Sequence, residues 1–85
     1  MRTVVWAPGA KAAGDNIDLP PGSPPIAEVK NAEVFRGSDG STAAGKVDVY
    51  TVTKVDANTI TIDVATTDRD LLVLRYIAVG EVLQP

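Results

Sequence analysis

Apolar and polar positions alternate most clearly between Val47 and Ile77, where three apolar-rich runs are separated by polar turns. Side chains along a strand point to opposite faces in turn. The first run therefore sets Val47, Val49, Thr51, Thr53 and Val55 on one side and Asp48, Tyr50, Val52 and Lys54 on the other. The second, Thr59 to Ala65, sets Ile60, Ile62 and Val64 against Thr59, Thr61 and Asp63, the pattern of a strand with one buried side. The third sets Leu71, Val73, Arg75 and Ile77 against Leu72, Leu74 and Tyr76, so both its faces call for cover, as in a central strand. Its Val, Tyr and Ile content favours a strand over the helix that periodicity alone would also allow. Asp56, Ala57 and Asn58 link the first two runs, and Asp and Asn bond their own backbone and tolerate left-handed geometry, which predicts a hairpin. Thr66 to Asp70 joins the second run to the third. The expectation is an antiparallel meander.

Upstream, Thr3 to Trp6 predicts a short strand, and Ile26 to Phe35 predicts two strands bent near Lys30 and Asn31 or one strand with a bulge. Between them the pattern fails. Pro8, Pro20, Pro21, Pro24 and Pro25 alternate with Gly9, Gly14, Gly22 and small polar residues, and proline lacks an amide donor and fixes φ. The fold class expected is all-β: a small antiparallel sandwich or barrel-like domain over residues 26–85, preceded by a Pro/Gly-rich extended N-terminal arm over residues 1–25. Large apolar groups outside the main sheet have least use within it, so Val4, Val5, Trp6, Ile17 and Leu19 are the candidate partner-binding residues, Trp6 first.

At 85 residues the chain is a single domain with only Trp6, Phe35, Tyr50 and Tyr76 as aromatics, and its apolar content leans on Ala and Val. A core this lean favours oligomerisation or docking on a larger partner. There is no cysteine for disulfides or thiolate chemistry, and no histidine, the commonest general base and metal ligand. The net charge is −3 with scattered cations, which argues against nucleic-acid binding. No stretch is long enough to span a membrane as a helix, and Pro8 and Gly9 interrupt the early apolar run before a secretory core is complete.

The loop from Arg36 to Lys46 is rich in glycine, but Lys46 is followed by Val47 and a strand, so the phosphate-loop pattern fails at its last position. Asp15, Asn16 and Asp18 lack the downstream carboxylate of a calcium loop. Pro21 and Pro24 have PxxP spacing without a basic neighbour. Asp63, Asp68 and Asp70 cluster near one strand end, where turn chemistry collects Asp far more often than catalysis does. The chain is therefore expected not to be an enzyme, with no catalytic, cofactor-binding or metal-binding residue. Arg75 lies inside the most apolar run and needs water or a carboxylate, for which Asp48 and Asp63 are the nearest candidates.

The segment Lys54-Val55-Asp56-Ala57-Asn58-Thr59-Ile60-Thr61-Ile62-Asp63, followed by Asp70-Leu71-Leu72-Val73-Leu74-Arg75-Tyr76-Ile77, resembles the terminal β-hairpins of small structural proteins of tailed bacteriophages, among them capsid decoration (cement) proteins and head or tail fibre-associated proteins. The resemblance covers the C-terminal part of the chain and consists of a sheet pattern, with no functional residue to carry over. It implies a virion component assembled in the host cytoplasm. Such a component would be homo-oligomeric, with a trimer favoured as in decoration proteins, and would bind the major capsid protein or other virion subunits. A tail, spike or fibre attachment or adaptor module is the alternative. A small cellular β-type ligand-binding module is a further one, against which the scarcity of aromatics counts.

Overall fold

The most apolar run of the chain becomes the middle of its larger sheet. In the computed structural model, which describes residues 1–37 and 45–80, β7 (Leu71–Ala78) lies between β1 (Arg2–Trp6) and β3 (Ile26–Arg36), with β4 (Gly45–Asp48) on the far side of β3. The smaller sheet has the order β2 (Ile17–Asp18), β6 (Thr59–Ile62), β5 (Val52–Lys54). Every pairing is antiparallel, and no helix occurs among the described residues. The molecule is a small all-β sandwich, as its alternation predicts. Inward side chains of the two sheets form one core: Leu72, Leu74, Tyr76 and Ala78 from β7, Ala32 and Val34 from β3, and Ile60 and Ile62 from β6. Tyr76 is fully buried and donates its hydroxyl hydrogen bond to the Pro24 carbonyl at 2.7 Å, which satisfies the one polar atom of its side chain.

The expected meander does not form. Val47 to Lys54 is not one strand but β4 and β5, which belong to different sheets, and the chain bends between them at Val49–Thr51. The bend shifts the parity. Val47 and Val49 pack on the core before it and Val52 after it, so Thr53 and Val55 do not share the buried side with Val47. The hairpin of β5 and β6 is present, with Val52 opposite Ile62 and Lys54 opposite Ile60. Its turn is made without left-handed Asn58: Asp56 Oδ1 accepts from the Asn58 amide at 2.8 Å, and among the described residues positive φ occurs at glycines alone. The loop after β6 then crosses back to the larger sheet, so β6 and β7 are not neighbours. The strand β3 is continuous, with register shifts between Ile26 and Glu28 and between Val29 and Asn31, which is the bulged form of the two expected near Lys30.

Residues 1–25 are built into the sandwich, and no boundary separates them from an independent body. Pairing with β7 makes β1 a sheet strand. The proline-rich segment has few amides, and its backbone groups run along β6 and the loops at its ends. The Lys11 amide donates to Thr66 O at 3.1 Å, Gly14 to Ile62 O at 2.9 Å and Leu19 to Asn58 O at 2.8 Å. Pro20 to Ser23 form a tight turn in which Gly22 takes a φ of 84° and the Ser23 amide donates to Pro20 O at 3.2 Å. Ile17 is 1% and Leu19 8% exposed, so two isolated apolar residues in a polar stretch close one side of the core.

Candidate interaction face

The alternation that fills the core from one face of the larger sheet leaves the other face outward. Across β1, β7, β3 and β4 the register places Val5, Val73, Glu33 and Asp48 in one row and Leu71, Phe35 and Lys46 in the next. Thr3, Arg75 and Asn31 form a third. Three of the apolar members stand open to solvent: Val5 is 55%, Leu71 46% and Phe35 42% exposed. Val73, between them, is buried beneath its neighbours. The face is therefore an apolar patch bordered by charge.

The bordering charges are paired. The Arg75 guanidinium donates to Glu33 Oε1 at 2.6 Å and to Asn31 Oδ1 at 3.0 Å, and Lys46 Nζ lies 3.3 Å from Glu33 Oε2 and 3.7 Å from Asp48 Oδ1. Arg75 thus finds a carboxylate as its setting demands, but on β3 and not at Asp48 or Asp63, because the strand beside β7 is β3 and not β6. Hydrogen bonds from Arg75 and then Lys46 hold the Glu33 carboxyl below the usual range.

A second arginine–carboxylate pair lies at the end of the sandwich where β3 leaves the sheet. Asp70 is fully buried. It accepts from the Thr67 amide at 2.9 Å, the Thr67 hydroxyl at 3.0 Å and the Gly37 amide at 3.4 Å, and Arg36 lies 3.3 Å away. Burial raises its pKa, but the Thr67 hydrogen bonds, the Arg36 charge and the Gly37 amide outweigh that and leave it lowered. Arg36 also donates to the Ala65 carbonyl at 3.0 Å. Together these contacts tie the start of the glycine-rich loop to the connection between β6 and β7. Residues 38–44 of that loop lie outside the described residues. Asp63 and Asp68, grouped with Asp70 by sequence, are exposed and apart from this arrangement. Among the described residues no cluster of acidic side chains is placed to hold a metal ion, and Asp15 accepts from the Ala12 amide while Asp18 accepts from the Thr59 hydroxyl.

Of the five candidate partner-binding residues, Val5 alone points into the open face. Val4 and Trp6 are half-buried against the core, and Ile17 and Leu19 are within it, so these last two have their apolar partners inside the chain. Phe35 and Leu71, which complete the patch, were not singled out by the alternation. Their signal was available: each is the apolar outward member of a strand whose inward members are already sufficient. Comparison with protein families, curated proteins and solved structures finds no match to this chain.

Proposed function

We propose that the protein is a structural virion component, a capsid decoration protein that binds and stabilises an assembled phage head. The observation that carries this reading is the outward face of the larger sheet, where Val5, Phe35 and Leu71 are exposed on neighbouring hydrogen-bonded strands beside the paired charges of Glu33, Arg75 and Lys46. Such a face suits docking on another protein surface: an apolar centre supplies affinity and a polar border sets orientation. The resemblance of the segment from Lys54 to Ile77 to hairpins of small phage structural proteins suggests the partner class. On a capsid the same site recurs at every subunit, so a modest contact by each copy, if copies are linked, gives lasting attachment.

The experiment is sedimentation of the purified protein with heads of the phage that encodes it, beside unassembled capsid subunits. The reading expects binding to assembled heads, a higher temperature of head disruption when the protein is bound, and loss of both in Phe35→Lys/Leu71→Lys. Binding to tails or fibres instead would transfer the reading to the adaptor alternative. No binding to any virion part would overturn it.

A further inference from the structure

The four sheet edges are not alike. The smaller sheet ends in β2, of two residues, and β5, of three residues with Lys54 at its end. The larger sheet ends on one side in β4, where Lys46 and Asp48 put charge along the edge. Its other edge is β1, which from Thr3 to Trp6 carries no charge, no proline and no register shift. Charges, prolines, bulges and short length are the devices that keep an edge from pairing with another chain, and β1 has none of them over those four residues. Among the described residues no strand pairs with the far side of β1.

We propose that a second copy of this chain occupies that edge, pairing β1 with β1 antiparallel about a two-fold axis through Val4, so that two four-stranded sheets become one of eight strands. Two features single out a second copy. An antiparallel pair centred on Val4 uses the whole strand: Val4 faces Val4, Thr3 faces Val5 of the second copy, and Arg2 faces its Trp6. Because each of these pairs joins residues of equal parity, both cores stay on one side of the joined sheet and both open faces on the other. On the core side, Val4 and Trp6 are only half-buried in the single chain, and the joined edge covers Val4 with Val4 of the second copy and brings its strand alongside Trp6. On the open side, the exposed Val5 residues come together and merge two apolar patches into one. The interface is isologous, which closes the assembly at two chains. The pairing is independent of the virion reading, which head sedimentation tests separately.

The test is light scattering on the full chain over a wide range of concentration, with two variants that differ only at position 5. A dimer of twice the 8.9 kDa chain mass is expected. In Thr3→Glu/Val5→Glu, like charges face each other twice across the axis, and dissociation strengthens about tenfold. In Thr3→Glu/Val5→Lys, opposite charges face each other, and the dimer persists. Both positions are exposed, and circular dichroism checks that both variants keep the fold. The chain has no cysteine, so Val4→Cys gives a second readout: on oxidation it is expected to form a single covalent dimer, since only position 4 meets itself on the axis. A monomer at every concentration, a trimer, or a dimer indifferent to the charge at position 5 would overturn the proposal.

Discussion

Glu33 and Asp70 each face an arginine, one on the open face of the larger sheet and the other at the base of its end loops, and the surroundings give the two pairs different work. Glu33 shares Arg75 and Lys46 with solvent nearby, so its attraction is screened and it chiefly arranges charge around the apolar patch. Asp70 has no solvent contact, and two of its partners are backbone amides, those of Thr67 and Gly37. A buried carboxylate holding amides fixes the course of the chain. The same pair of residue types therefore decorates a surface in one place and sets a loop in the other.

The strongest way to break this contrast is Asp70→Ala, which strands the Thr67 and Gly37 amides and leaves Arg36 with the Ala65 carbonyl but no carboxylate. It is expected to cost about 3 kcal/mol in urea unfolding, and a loss below about 1 kcal/mol would refute the organising role. Gly37→Ala attacks the same place sterically, since an added Cβ would meet the backbone carbonyl of Arg69 and come within 2.8 Å of the Arg69 Cβ. About 2 kcal/mol is expected, read in the same assay. Acidification separates the pairs by their titration. The Asp70 carboxyl is held below its ordinary value, so its contribution is present above about pH 4 and is lost as pH falls through the folded-state value. Asp70→Asn should remove that part of the acid limb at low and at high salt alike. Glu33 titrates in the same sense, but its share should fade with added salt. The smallest effect is expected from Arg75→Met, which should leave the melting temperature within error of the parent protein while altering how the open face binds.

The strand that organises the larger sheet was legible because its chemistry is two-sided: Leu72, Leu74 and Tyr76 alternate with Val73 and Ile77, and only a strand with neighbours on both sides uses both sets. The bulge near Lys30 was legible for a related reason, since neither face of Ile26 to Phe35 stays apolar throughout. Partner choice was not legible. Period-two alternation says which face a residue occupies and nothing about which strand lies beside it, so the crossing at Val49–Thr51 and the separation of β6 from β7 left no mark in the pattern. The same gap hid the Arg75–Glu33 pair, whose members lie on neighbouring strands far apart in sequence. The place of residues 1–25 in the sandwich is hidden in the sequence for a different reason. Proline and glycine suppress the strand signal, while the tertiary bonds of Lys11, Gly14 and Leu19 with the stretch from Asn58 to Thr66 are invisible to local composition. For Asp70 the sequence points to turn chemistry over catalysis, and its bonds to the Thr67 amide and hydroxyl are of that kind. The Thr-Thr-Asp-Arg-Asp run around it reads as a turn whose side chains cap its own amides.

Because Arg2 pairs with Tyr76, the first strand of the sandwich has to wait for the last. During synthesis β1 emerges before β7 and stays without its neighbour until β7 has cleared the ribosome, and the closing step joins segments far apart in sequence. Long-range pairing of this kind makes folding slow relative to helical domains of the same size, because loop entropy is lost before contact is gained. The interval is also when the uncharged Thr3 to Trp6 segment is most open to wrong association.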